Sequence, residues 1–302
     1  MKKQSLGIVF ALMTAILSGV AIPLNKIFVI TLDPAVFTAV RAIIIGFLFL
    51  IISYSQGSLQ VKKVKKLPWK YLITIAIIGG SLAFLLFFTG LKMTTSGRAA
   101  FLHKTLPIYV TIFAFLLLKD KIPRKHVYAM VLMLIGTVLI YSASIDPSWL
   151  WENPSFGDLL IISATILWGL EAVIAKKVMK DGETNFVVSF ARMFFGGLIL
   201  FGAVVLMGKA DLLLAIGSQE VLNILISTGL LFGYVFFWYW SIKLMDVSQA
   251  STLLLLAQVI SLVLGMAMLG EPVPNIQILG SILILIGSYF VIGIKSGPET
   301  GV

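Results

Sequence analysis

The sequence has no cysteine, few acidic residues and only two histidines. Without cysteine it cannot form disulfides or thiolate metal sites, and His103 and His126 alone cannot build an ordinary metal centre. It also lacks a glycine-rich phosphate loop of the Walker type, an H-E-x-x-H pattern and a G-x-S-x-G pattern. We therefore expect no catalytic residues, no metal and no cofactor, and we do not expect an enzyme.

Charged residues are scarce as well, and most of the chain consists of long apolar runs. Charged residues make up 12% of the chain and hydrophobic residues 59%, against about 25% and about 45–50% in soluble domains. Helices satisfy their own backbone hydrogen bonds in lipid, so apolar runs of about 20 residues predict transmembrane helices. The predicted fold is an all-α integral membrane protein with ten spans, near residues 6–28, 35–54, 71–91, 97–118, 127–145, 158–178, 186–207, 221–241, 249–269 and 276–294. The N-terminal run resembles a signal peptide without a clean cleavage site, so we expect it to be retained as the first span.

The lysines and arginines give these spans an orientation. With the N-terminus in the cytoplasm, sixteen of them fall in cytoplasmic segments, whereas Lys209 lies in an external loop. This positive-inside bias predicts two cytoplasmic termini, and the short loops favour the plasma membrane. The bias also accounts for the net charge of +10, so nucleic acid is not an expected partner.

The chain repeats itself at a spacing of about 150 residues. The recurring stretches are LSGVAIPLNK (17–26) with LWGLEAVIAK (167–176), and KDKIP (119–123) with GEPVP (270–274). Each copy holds five spans, and because five is odd, the second copy enters the membrane inverted. Inverted repeats are a recurrent plan of secondary transporters, with the substrate site near the bilayer midplane. We predict two inverted five-helix repeats around a central cavity, with a first repeat at 1–146, an external linker at 147–156 and a second repeat at 157–302.

The two copies resemble the EamA repeats of the drug/metabolite transporter (DMT) superfamily. The resemblance rests on L-x-G-x6-K in the first helix of each copy, an early arginine in the second helix (Arg41 and Arg192), the turn ending in proline after the fourth helix, and LIG in the fifth. It implies ten helices, a cavity that opens alternately to either side, and small polar metabolites as substrates. Related small multidrug exporters carry a glutamate in the first helix where this chain has Ser18 and Trp168, so we do not expect export of lipophilic cations.

His103 and Lys104 are the leading candidates for a substrate site. They lie inside the fourth predicted span, where the second copy has Leu254 and Leu255, so the architecture does not require them. Two interpretations remain open. Either Lys104 snorkels or pairs with a carboxylate while His103 bonds a carbonyl, or both face the cavity and bind a carboxylate or phosphate. Histidine titrates between pH 5 and 8, which makes His103 a candidate for coupling to a proton. Arg98 is expected at the interface.

Glu171 is the acid that lies well inside a predicted span. Trp168, three residues earlier, shares its helical face. A buried carboxylate needs a partner, and the candidates are Lys104, Arg192 and a substrate ammonium. With an amino acid substrate, the cationic residues would bind its carboxylate and Glu171 its ammonium. Gln258, in the ninth span, would hydrogen-bond either a neighbouring helix or the substrate.

Further residues in the spans have both a structural and a functional interpretation. Arg41 and Arg192 either pack onto backbone carbonyls or attract an anionic group in the permeation path. Tyr234 and Trp238 lie at i and i+4 and form either an interfacial aromatic belt or a gate over the substrate. Pro107 predicts a kink in the fourth span.

The sequence therefore predicts a secondary transporter that moves a small polar metabolite across the cell membrane by alternating access. We expect an anionic or zwitterionic substrate, with an amino acid or related organic acid favoured and a phosphorylated or nucleotide-linked compound as the alternative. Two other classes stay open. An intramembrane enzyme using His103, Lys104 and Glu171 would change a lipid-linked substrate covalently, and a sensor would bind its ligand without flux.

Overall fold

The structure, a computed structural model, consists of long α-helices joined by short loops. It describes residues 3–28, 32–143, 145, 148, 153–214 and 216–295. Within those residues there is no β-strand, and ten helices are long and apolar enough to cross a membrane. Their bounds are α1 Lys3–Phe28, α2 Pro34–Ser55, α3 Trp69–Leu91, α4 Ser96–Leu118, α5 Arg124–Ser142, α6 Phe156–Lys180, α7 Asn185–Leu206, α8 Ser218–Leu244, α9 Val247–Leu269 and α10 Asn275–Ile292. Each predicted span overlaps one of these helices, which confirms the all-α membrane fold.

Two of the helices, α4 and α9, are broken at related positions. Their segments are Ser96–His103 and Leu106–Leu118 in α4, and Val247–Leu253 and Leu256–Leu269 in α9. Pro107 accounts for the first break, because it has no N–H to bond the carbonyl of His103 four residues earlier. In α9 the related position is Gln258, whose side-chain Nε2 donates to the carbonyl of Leu255 at 3.4 Å. Since α9 breaks without a proline, the break belongs to the plan of both repeats.

Short π-helical segments interrupt α3 and α7, at Ile78–Leu82 and Ala191–Phe195. The two segments pack against each other. A Cβ atom built on Gly80 would overlap the carbonyl oxygen of Arg192 and lie 2.9 Å from the Cα of Gly196. Position 80 therefore has to be glycine for the helices to approach this closely. Single π-helical turns of this kind occur frequently at functional sites.

Helices α2 and α7, which are the second helices of the two repeats, cross each other at a matched pair of glycines. A Cβ on Gly46 would lie 2.5 Å from the Cα of Phe194, and one on Gly197 would lie 3.0 Å from the nitrogen of Ile43. Gly46 and Gly197 are 151 residues apart, as are Ile43 and Phe194, so each repeat makes the same contact on the other. Such an exchange is what an inverted repeat produces. Half of the linker predicted at 147–156 lies outside the described residues, and the repeat boundaries stay a prediction.

A buried ion pair joins the start of α4 to the start of α6. Arg98 donates to a carboxylate oxygen of Asp158 and, at 3.0 Å, to the carbonyl of Asn153. Thr94 donates to the other oxygen of Asp158 at 2.6 Å, and Asp158 also forms a capping box with Ser155. Arg98 is only 7% exposed. It therefore joins the starts of two helices, and the expectation that it lies at the membrane interface stays a prediction.

Candidate functional site

A cavity lies where the breaks of α4 and α9 meet. It contains about 340 Å³ of space not occupied by atoms. Its walls come from α1, α4, α8 and α9, and the lining residues are Ser18, His103, Lys104, Leu106, Pro107, Tyr234, Ser251, Leu254 and Leu255. His103 ends the first segment of α4 and Lys104 lies in the break that follows it, whereas Leu254 and Leu255 form the break in α9. Matched positions of the two repeats thus face one cavity, as in transporters whose sites are built from discontinuous helices.

Lys104 carries a positive charge into this cavity. Its backbone N–H bonds the carbonyls of Ala100 and Phe101 at the end of the first segment of α4, and its side chain is partly exposed. Among the described residues, no carboxylate oxygen lies within 4.0 Å of its Nζ. The ammonium group of Lys104 is therefore available to a ligand in the cavity.

His103 lies beside Lys104 and is supported by aromatic rings. The ring of Trp168 on α6 meets it edge-on, with the ring centroids 5.1 Å apart, and Phe87 on α3 lies at 5.9 Å. Trp168 is itself fixed, because its Nε1 donates to the carbonyl of Gly79 at 3.1 Å. Trp168 therefore contacts His103 but does not itself line the cavity.

Hydroxyl groups supply most of the other polar atoms in the cavity wall. Ser18 from α1 and Tyr234 from α8 are partly exposed, and neither hydroxyl bonds another described residue. Ser251 from α9 is buried and donates to the carbonyl of Ser248 at 2.9 Å. Its remaining lone pairs can accept a hydrogen bond but its proton is already used.

Glu171 belongs to a second polar cluster, behind the cavity wall. Its Oε1 accepts a hydrogen bond from Tyr239 at 2.5 Å, and its Oε2 lies 3.7 Å from the Nε of Arg192. The side chain of Glu171 is 2% exposed and that of Arg192 10%. Of the three partners considered from the sequence, the structure therefore pairs Glu171 with Arg192, and it adds Tyr239.

The remaining site candidates lie away from the cavity wall. Arg41 is buried on α2, donates to Ser227 at 2.6 Å and covers the ring of Phe37 at 3.8 Å. Gln258 donates to Thr137 on α5 at 3.0 Å. Trp238 is 3% exposed and packs in the main hydrophobic core. For each of them the described contacts are those of a residue that joins helices.

Three residues were not singled out as site residues from the sequence: Ser18 and Ser251 in the cavity wall, and Tyr239 in the cluster around Glu171. Ser18 carried a signal, because it stands in the first repeat where Trp168 stands in the second. Ser251 and Tyr239 carried none, since serine and tyrosine are common in apolar helices. In the part of the chain that the structure describes, no group of three or more His, Asp or Glu residues could hold a metal ion.

The fold is shared with a solved crystal structure. That structure superposes with a TM-score of 0.77 over 94% of this chain and 97% of the other, at 19% sequence identity. At this identity the likeness shows the fold alone.

Several relatives of similar length are named as transporters. The chain is 25% identical to the uncharacterized transporter YyaM of Bacillus subtilis, over 94% of this chain and 93% of that protein. It is 27% identical to the uncharacterized transporter YoaV of the same organism, over 87% and 89%. It is 25% identical to the riboflavin transporter ImpX of Fusobacterium nucleatum, over 78% and 82%. The model of the EamA-like transporter family matches twice, at residues 5–142 and 155–293, so the resemblance of both repeats is confirmed. The protein is an integral membrane transporter, and it belongs to the EamA-like transporter family.

Proposed function

We propose that the protein is a secondary transporter for a small metabolite that carries a carboxylate, an amino acid or a related organic acid. The substrate binds in the cavity between the breaks of α4 and α9, and the two repeats move against each other to open it alternately to either side. No covalent change of the substrate is involved. The positive-inside bias supports two cytoplasmic termini, and the short loops favour the plasma membrane.

The observation that carries this proposal is the position of Lys104. A lysine at the centre of a bilayer costs about 2.5–3.5 kcal/mol on the insertion scale, and a neighbouring carboxylate is the usual compensation. Glu171 does not provide it, because its two oxygens face Tyr239 and Arg192. An anionic ligand would supply the missing charge, and His103 would contribute a second polar group beside it. His103 is also our candidate for a coupling proton, since its imidazole borders the same cavity.

A phosphorylated or nucleotide-linked compound is the second candidate, because a phosphate would bind Lys104 as well as a carboxylate does. The name of the riboflavin transporter ImpX adds riboflavin to the compounds worth testing.

A thermal-shift screen of the purified protein in detergent tests the proposal. The panel contains amino acids, hydroxy acids, dicarboxylic acids, sugar phosphates, nucleotides and riboflavin. A ligand stabilises the native state by RT ln(1 + [L]/Kd), about 2.7 kcal/mol at a concentration of 100 Kd. We expect anionic compounds to raise the melting temperature of the wild type and not that of Lys104→Leu.

The sequence itself indicates which residue to place at position 104 and which lysine to use as the control. Leucine occupies the related position, Leu255, in the broken helix α9, so the fold accepts leucine at such a break. Lys65→Leu, in an exposed loop, is the matched control that removes the same charge elsewhere. If an anion stabilises a well-folded Lys104→Leu as strongly as the wild type, the proposal is wrong.

A further inference from the structure

We propose that the cavity selects a carboxylate whose other polar groups are hydroxyls, so that a hydroxy acid is preferred over the amino acid of the same skeleton. This inference rests on the proposed function and narrows the substrate class. Its basis is the set of charges and hydroxyl groups that the structure gathers around Lys104.

The first step concerns the partner that an amino acid would need. Its ammonium group requires a carboxylate or several strong acceptors when it leaves water. Glu171 is the one acid that lies well inside a described span, and its two oxygens are directed at Tyr239 and Arg192. It also lies behind the wall and is not among the lining residues of the cavity. An ammonium in the cavity therefore finds no carboxylate.

The second step concerns repulsion. In an α-amino acid the ammonium is attached to the carbon next to the carboxylate. If Lys104 binds the carboxylate, the ammonium is held within a few ångströms of the Nζ of Lys104. Two like charges at this separation repel each other strongly where water is partly excluded. A hydroxyl at the same carbon is neutral and avoids the repulsion.

The third step concerns the groups that would bind a hydroxyl. Ser18 and Tyr234 border the cavity, and their hydroxyls make no hydrogen bond to another described residue. Each can both donate and accept. Ser251 donates to Ser248 and can only accept from a ligand. This wall offers neutral donors and acceptors, which suit a hydroxyl group.

The test compares pairs of small acids that differ only in this group: L-lactate with L-alanine, and L-glycerate with L-serine. Dissociation constants are measured at neutral pH on the wild-type protein in detergent, so that no variant has to fold. We expect each hydroxy acid to bind about tenfold more tightly than its amino acid, or more, equivalent to at least about 1.4 kcal/mol. Equal affinities, or tighter binding of alanine and serine, would overturn the inference.

Two variants separate this inference from the proposed function. In Lys104→Leu, binding of whichever acid the wild type prefers should be lost, because both use the same carboxylate contact. If alanine is preferred and its binding depends on Lys104, the proposed function stands and the selectivity argument is wrong. If alanine binding also disappears in a Glu171→Gln protein that circular dichroism shows to be folded, Glu171 is the ammonium site and the inference is overturned directly. If neither acid of either pair binds and a phosphate or riboflavin does, the carboxylate function itself fails.

Discussion

The cluster of Glu171, Arg192 and Tyr239 gives a prediction about stability that does not depend on any substrate. Glu171→Gln keeps an acceptor for Tyr239 and removes the charge opposite Arg192. Breaking a buried ion pair by removing one partner costs about 3–5 kcal/mol, because the other charge remains buried and unpaired. The Nε of Arg192 lies 3.7 Å from the carboxylate, beyond hydrogen-bond distance. We therefore expect the lower end of that range, about 3 kcal/mol.

A related substitution, Tyr239→Phe, should cost less. It removes one hydrogen bond to a charged group, worth about 1.5–3 kcal/mol, and leaves Glu171 opposite Arg192. The double variant Glu171→Gln/Arg192→Gln removes both charges at once. We expect it to be more stable than Glu171→Gln alone, because no unpaired charge is then left in the interior.

The assay is SDS-induced unfolding in mixed micelles, followed by tryptophan fluorescence and circular dichroism. Asp181→Asn, at the exposed end of α6, makes the same change from acid to amide and should alter stability by no more than about 0.5 kcal/mol. The reasoning is refuted if Glu171→Gln unfolds at the same midpoint as this control. It is also refuted if the double variant is destabilised by as much as Glu171→Gln and Arg192→Gln, measured separately, add up to.

Two further predictions concern packing and pH. Gly46→Ala should cost about 1–3 kcal/mol, since its Cβ would lie 2.5 Å from the Cα of Phe194. Gly202→Ala in α7 should instead stabilise the protein by about 0.5–1 kcal/mol, because a Cβ at this position would have no atom within 4 Å. If thermal melts show the same change for Gly46→Ala and Gly202→Ala, the account of the crossing between α2 and α7 is wrong. Burial raises the pKa of Asp33, but the hydrogen bond and charge of Lys209 and the N–H groups at the start of α2 lower it further, to a net value below the ordinary 3.8. This pair therefore stabilises the protein above about pH 3.8 and loses its effect as the pH falls through the lowered pKa. Asp33→Asn, which keeps a good N-cap, should lower the melting temperature by more at pH 7 than at pH 2.5, where part of the stabilisation by the carboxylate is already lost; the same loss at both would contradict it.

The ten helices could be predicted from the sequence because their signals are local. Apolar runs fix each span to within a few residues: α2, for example, was expected at 35–54 and extends from Pro34 to Ser55. The internal repeat and its motifs led to the family, which the match to both halves confirms. Pro107 predicted a kink where α4 is broken, since proline removes a helical hydrogen bond. The break in α9 has no proline and followed only from comparing the repeats in three dimensions.

The contacts of the site could not be predicted, because they join residues far apart in sequence. Tyr239 and Glu171 are separated by 68 residues, and Arg98 and Asp158 by 60. A sequence shows that a buried acid needs a partner, but several cations satisfy that need equally well before the helices are packed. The arrangement that leaves Lys104 without a carboxylate is a property of helix packing. That is why the two interpretations of Lys104 stayed open at the level of the sequence.

Transport in proteoliposomes tests the central claim most directly. The wild type, Lys104→Leu and Lys65→Leu are reconstituted at equal density, and uptake of radiolabelled L-lactate is followed against empty liposomes. The account predicts saturable uptake by the wild type and Lys65→Leu, and uptake by Lys104→Leu no faster than by empty liposomes. Saturable lactate uptake that is unchanged in Lys104→Leu would contradict it.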